Sequence, residues 1–188
     1  VRPVDIQYIG SAFADWKGGI QNEFRYRDFR FSFLLDASYG GIIYSQTHHK
    51  MTEQGKLKHT LYGREENFII GNGVVDAGGG RYTANTTKVL PVDYYTEYYR
   101  RANVEANSFD ATYLKLREAR IEYSLPKSLL GKSFIRQATF AVYGRDLLLF
   151  TNFPIFDPET AALNGSTLLP GVEMGQLPST RTMGVNLT

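Results

Sequence analysis

Residues 16–39 read Trp16-Lys17-Gly18-Gly19-Ile20-Gln21-Asn22-Glu23-Phe24-Arg25-Tyr26-Arg27-Asp28-Phe29-Arg30-Phe31-Ser32-Phe33-Leu34-Leu35-Asp36-Ala37-Ser38-Tyr39. Two alternations run back to back through them. Trp16, Gly18, Ile20, Asn22, Phe24 and Tyr26 share one side, and Lys17, Gln21, Glu23 and Arg25 the other. After Arg27-Asp28 the pattern resumes, with Phe29, Phe31, Phe33, Leu35, Ala37 and Tyr39 opposite Arg30, Ser32, Asp36 and Ser38. A period of two is the strand signature, and the immediate restart predicts an antiparallel hairpin turning at Arg27-Asp28. Each run extends about 11 residues, against roughly 5–6 for a strand of a soluble sheet and about 9–11 for a tilted membrane strand. The length therefore favours the wall of a barrel.

Strand patterning returns at Thr112. Ala119, Ile121, Tyr123 and Leu125 alternate with Glu118, Arg120, Glu122 and Ser124 until Pro126, which has no N–H to donate, ends the ladder. Helical spacing from Leu114 would put Arg117 or Glu118 into the apolar stripe, so the strand reading is preferred. A turn at Lys127–Lys132 leads into a run over Ser133–Phe150, where Phe140, Val142, Gly144 and Leu148 share a side with Asp146. Ser179–Thr188 sets Met183, Val185 and Leu187 against Thr182, Gly184 and Asn186. Residues 40–111 and 152–178 read as long loops with short strand or helix pieces such as Phe68-Ile69-Ile70. Loops of this length are uncommon in compact soluble domains and ordinary on the outer side of membrane barrels.

The composition bounds the chemistry. The 188 residues carry 21 Lys+Arg and 19 Asp+Glu, a net charge of +2, which gives no sign of a nucleic-acid partner. There is no cysteine, so disulfides, thiolate metal sites and thiol nucleophiles are excluded. Aromatic residues make up 14% of the chain, which suits a β-rich protein. No apolar run approaches the roughly 18 residues of a membrane helix, which leaves strands as the way to span a bilayer. Val1-Arg2-Pro3 is not a translation start and no signal peptide is visible, so the expectation is a removed leader or a piece of a longer chain. Five strand segments leave two open edges, which hydrocarbon does not tolerate. The expected fold class is therefore all-β, an antiparallel transmembrane β-barrel segment with long extracellular loops, completed by strands outside the alternating segments.

Several ordered motifs carry a resemblance. Ser108-Phe109-Asp110-Ala111-Thr112-Tyr113-Leu114-Lys115-Leu116-Arg117-Glu118, Ile121-Glu122-Tyr123-Ser124-Leu125-Pro126, Tyr143-Gly144-Arg145-Asp146-Leu147, Asp157-Pro158-Glu159-Thr160, Gly171-Val172-Glu173 and Leu177-Pro178-Ser179-Thr180-Arg181 stand in the order and form found near the end of SusC/RagA-type TonB-dependent outer-membrane transporters. Upstream, Trp16, Asn22, Phe24, Leu35-Asp36 and Gly40-Gly41 fall in the same order. Asp146 departs from the Asn usual there, and the terminal aromatic of the family is missing. The resemblance implies that residues 1–188 are the carboxy-terminal portion of a barrel of about 22 strands, without the plug domain or the TonB-contacting segment. It implies a nutrient importer of the bacterial outer membrane, taking glycan oligosaccharides or peptides with a SusD-like surface lipoprotein. Further partners are the remaining barrel and plug, the TonB complex and outer-membrane lipid. No enzyme activity and no cofactor are implied. The alternatives are a self-contained β-rich glycan-binding protein, a small outer-membrane barrel, or a β-rich hydrolase.

Candidate residues follow. Glu23, Arg25, Arg30, Asp36, Glu118, Arg120 and Glu122 occupy the charged side of the strands and are expected to face a lumen. Trp16, Tyr26, Tyr39 and Tyr123 lie near strand ends, where interfacial girdles sit. Tyr94, Tyr95, Tyr98 and Tyr99 form an aromatic cluster that could stack on a ligand. Asp157, Glu159 and Asp15 could be read as glycosidase carboxylates, or as groups with a loop-structuring or calcium-like role, though loop solvation is the plainer expectation. His48-His49 with His59 read as exposed loop residues rather than a metal site. Gly71–Gly80 has no Lys-Ser/Thr following it, which favours a flexible turn over a phosphate loop.

Overall fold

A computed structural model describes residues 6–131 and 135–188. In chain order the elements are β1 (Trp16–Tyr26), β2 (Phe29–Tyr39), β3 (Ile42–Ser45), α1 (Gln46–Glu53), β4 (Ile69–Ile70), β5 (Val74–Gly78), β6 (Arg81–Ala84), β7 (Lys88–Val89), α2 (Pro91–Tyr98) and β8 (Ser108–Asp110). Then come β9 (Tyr113–Ser124), α3 (Lys127–Leu130), β10 (Thr139–Thr151), β11 (Ala162–Asn164), β12 (Thr167–Leu169), β13 (Val172–Glu173) and β14 (Thr182–Leu187). The long strands form one antiparallel five-stranded sheet in the order β1-β2-β9-β10-β14, with both edges open. No helix among the described residues is long and apolar enough to cross a membrane, which says nothing of strands.

The predicted hairpin is present. Arg27 takes φ 53, the left-handed conformation that a two-residue connection demands, and its guanidinium lies 5.4 Å from the Tyr26 ring centre. The register puts Phe24 opposite Phe31, Phe31 opposite Ile121, Ile121 opposite Val142 and Val142 opposite Val185. One face is therefore apolar across all five strands. It is also bare: Ile121 and Val142, on interior strands, are 54% and 47% exposed. The buried residues gather elsewhere. Ile43, Ile69, Tyr95, Tyr113 and Phe153 are at most 6% exposed and lie at the end of the sheet where the long connections emerge.

Three expectations need correction. The fold is mostly β rather than all-β, because residues 40–112 contain two eight-residue helices beside short strand pairs. Ser45 caps α1 by accepting the His48 N–H at 2.9 Å, and Pro91 opens α2 at a position where its missing N–H costs nothing. The strand read from Ser133 begins at Thr139, with 135–138 irregular; Lys132, Ser133 and Phe134 lie outside the described residues. Asp146 does not share the apolar side of β10. A bulge between Arg145 and Leu148 shifts the register there, Asp146 adopts φ 49, and its carboxylate approaches Arg117 at 3.8 Å on the opposite face. Asn and Asp tolerate that conformation better than other side chains, which explains an Asn or Asp at this point. A second bulge, between β2 and β9, falls at the same level.

Candidate functional site

The polar face of the sheet carries a ladder of charges. Arg30 lies 3.3 Å from Glu122 and 3.6 Å from Glu23, Glu23 accepts from Arg25 at 2.7 Å, and Arg120 donates to Glu122 at 2.6 Å. Arg145 reaches Glu118 at 3.3 Å. Five of the seven residues expected to share this side are thus joined along it, and a sixth, Glu118, pairs with Arg145. These pairs are partly exposed, so each contributes little to stability.

The seventh, Asp36, belongs to a deeper cluster. Paired bulges turn Arg117 onto the polar face beside Lys115, and the loop after β10 brings Asp157 and Glu159 over them. Lys115 Nζ donates to Asp157 Oδ2 and Glu159 Oε2, both at 2.6 Å, with its side chain only 2% exposed. Arg117 donates to Asp36 at 2.9 Å through Nε and also to Glu159. Ser179 Oγ and the Glu159 N–H complete the shell of Asp157 at 2.7 and 3.0 Å. Burial by itself raises both carboxyls. Hydrogen bonds from Lys115, Ser179 and the Glu159 N–H outweigh it at Asp157 and hold that group below its ordinary value. Arg117 and Lys115 hold Glu159 at about 2. Asp157 and Glu159 are therefore not solvated loop carboxylates; they clip the loop to the sheet, Asp157 through Lys115 and Glu159 through Lys115 and Arg117. Asp15 lies apart, its N–H donating to the Tyr39 carbonyl at 2.9 Å.

Residues 40–112 and 162–178 form a module at that end of the sheet. Glu173, fully buried, accepts from Ser45 Oγ at 2.5 Å, from Thr47 Oγ1 at 2.6 Å and from the Gly175 N–H. It sits at the N-terminus of α1, where the helix dipole favours a negative charge. The histidines differ from expectation. His48 and His49 are 6% and 4% exposed rather than displayed. His48 stacks on His59 at 5.2 Å and shares a hydrogen bond with Asn107 at 3.0 Å. Burial lowers the pKa of all three. Among the described residues there is no group of three or more His, Asp or Glu arranged to hold a metal.

Helix α2 divides the tyrosine cluster. Tyr95 is buried, donating to the carbonyls of His59 at 2.8 Å and Tyr62 at 3.1 Å, and Tyr99 packs on His59 at 5.3 Å. Tyr94 and Tyr98 stack nearly parallel, centroids 5.6 Å apart, on another side. They border a cleft of about 530 Å³ between α2 and the β5–β6 hairpin, together with Val75, Asn85, Asp93 and Glu97. The run Gly71–Gly80 is the first arm and turn of this hairpin, followed directly by strand β6 rather than by a helix. Among the residues expected to matter, the tyrosines and the ladder were legible. Lys115, Arg117 and Glu173 were not assigned a role, although Lys115/Arg117 and Asp157/Glu159 share a spacing of two.

No family model matches the chain. TonB-dependent receptor P3 of Formosa agariphila is 27% identical over 194 residues, covering 100% of this chain and 18% of the receptor. TonB-dependent receptor P26 of the same organism is 26% identical over 190 residues, covering 98% and 18%. Among solved structures, the RagAB peptide importer in its closed-closed state superposes with a TM-score of 0.66 at 19% identity, over 96% of this chain and 18% of the other. The RagAB peptide transporter gives 0.60 at 18% identity, over 95% and 17%. The chain thus spans under a fifth of the length of these proteins, and the structural likeness speaks for the fold. The relatives are named as receptors and importers, and none of the names describes a hydrolase. TonB-dependent receptors are outer-membrane β-barrel proteins.

Proposed function

We propose that this chain, homologous over its whole length to a part of the TonB-dependent receptors, forms the carboxy-terminal portion of the barrel of an outer-membrane nutrient importer. The observation that carries the reading is the two-faced sheet. Its apolar side is continuous over five strands and uncovered, as acyl chains require. Aromatic pairs mark both ends: Trp16 and Tyr39 stack at 6.3 Å near the loops, and Phe29 meets Tyr123 at 4.7 Å near the turn. At about 3.4 Å per residue β2 runs roughly 34 Å, which a tilt of about 40° projects to about 26 Å, close to the apolar band of about 25 Å.

In this reading the open edges pair with further strands to close a barrel of about 22. Glu23, Arg25, Arg30, Asp36, Glu118, Arg120 and Glu122 then face the lumen and a plug. The module of residues 40–112 stands outside the membrane, against a SusD-like lipoprotein that captures glycan oligosaccharides or peptides. The TonB complex acts through the plug. The test is a pair of arginine substitutions in the full-length protein. Val142→Arg on the apolar face should cost about 2–4 kcal/mol and sharply reduce the amount recovered in outer membrane. Gln21→Arg on the polar face should leave recovery near wild type. Equal recovery of the two variants, or a soluble wild-type protein, refutes the assignment.

A further inference from the structure

We infer that the cleft between helix α2 and the β5–β6 hairpin receives a cationic side chain, the lysine or arginine of a peptide. This rests on the importer reading above and specifies a cargo contact within it. The argument starts from charge. Asp93 and Glu97 are the ionisable carboxylates lining the cleft, and no Lys, Arg or His lines it among the described residues. They lie four residues apart on one helix, a spacing at which like charges weaken the helix. The dipole eases Asp93 in the first turn. Among the described residues Glu97 pairs with Arg100 alone, at 3.5 Å, with both side chains well exposed. A cation between the two carboxylates would relieve the repulsion.

The remaining lining fits the rest of such a side chain. The stacked pair Tyr94–Tyr98 supplies π systems on the same stretch of helix, suited to an ammonium or guanidinium. Val74, Val75 and Val89 provide an apolar strip for its methylene stem. The hairpin base is already held without the ligand, since Asn85 Nδ2 donates to the Gly71 carbonyl at 2.9 Å and the Asn85 N–H donates to Gly73 at 2.9 Å. The cleft is therefore preformed. Its carboxylates repel sulfated or phosphorylated ligands, which makes the site selective by sign.

The test uses the complete transporter with its surface partner in detergent. Two N-acetylated tetrapeptides, identical except for lysine against norleucine, are titrated calorimetrically. The lysine peptide should bind about fivefold more tightly at low salt, and the advantage should shrink as salt screens it. Asp93→Asn with Glu97→Gln should abolish the preference while leaving norleucine-peptide affinity unchanged. Tyr98→Leu should reduce it about twofold. Unchanged melting of the charge variant shows that it folds.

Equal affinity for the two peptides, or a preference that survives in the double variant, overturns the inference. So does competition by a neutral oligosaccharide that depends on Tyr98 and not on the carboxylates. Binding of neither peptide also overturns it. In that case uptake of another cargo class by the same cells leaves the importer reading standing, whereas absence of the protein from the outer membrane removes both.

Discussion

Lys115→Met should release the loop that follows β10. The Lys115 amine is 2% exposed and holds two carboxylates at 2.6 Å. Without it, Asp157 keeps, among the described residues, the Ser179 hydroxyl and the Glu159 N–H, and its own side chain is 3% exposed. Removing one partner of a buried ion pair costs about 3–5 kcal/mol. Glu159 is 39% exposed and retains Arg117, so the lower end, about 3 kcal/mol, is expected. Lys115→Met with Asp157→Asn removes both charges and should recover most of the loss, to within about 1 kcal/mol of wild type. The assay is hydrogen exchange across residues 152–161 of the full-length protein, with urea unfolding alongside. A change below about 0.5 kcal/mol for the single variant, or a double variant no better than the single, refutes the idea that this pair anchors the loop. The pH dependence has a definite sign. Both carboxyls are depressed in the fold, so their contribution is complete above about 4.5 and is lost as pH falls below it, for Glu159 toward about 2.

The histidines give a second pH effect, in a different window. Burial depresses His48 despite its Asn107 partner, and depresses His59 as well. Their contribution is present above about 6.5 and is lost as pH falls below it, so limited proteolysis between Gln46 and Tyr99 should accelerate from pH 7.5 to 5.5. An unchanged rate would count against a neutral, packed His48. Glycines of like conformation should differ in cost. Gly171 has φ 71, and a Cβ there would lie 2.6 Å from Ala12 Cβ and 2.9 Å from the Ile42 carbonyl, whereas Gly79 at φ 62 has open space. Gly171→Ala should cost about 2–4 kcal/mol and Gly79→Ala about 1 kcal/mol, measured by urea midpoint. Equal shifts would contradict the close packing of β13 against residues 12 and 42.

The long strands were legible because one side of each meets a uniform surroundings, which imposes a period of two on Phe29, Phe31, Phe33 and Leu35. That logic fails where the backbone leaves the ladder. At Asp146 a strict alternation assigns the wrong side, since a bulge depends on a partner strand that local sequence does not contain. The helices had weaker signals. Pro91 with Asp93 is a helix start, and Ser45 is a cap, but eight residues are too few for a periodic stripe to emerge. The ion cluster draws on β2, β9 and loops more than 40 residues further on. Its members looked like separate charges until the sheet order brought them together. The tyrosine cluster was visible as composition, but only the pitch of α2 separates Tyr95, turned inward, from Tyr94 and Tyr98 at the cleft.

The strand order also bears on how the chain assembles. β1 meets β2 across two residues and β9 meets β10 across 125–138, so both hairpins form from local contacts. β2 and β9 are neighbours, yet all of residues 40–112 lie between them. Closing that longer loop costs only about 1–2 kcal/mol more than closing the 125–138 connection, because the entropy grows with the logarithm of length. The insertion can therefore lengthen, shorten or exchange its contents without preventing β2 from finding β9. On the barrel reading proposed above, what stands outside the membrane can be remodelled while the wall stays the same.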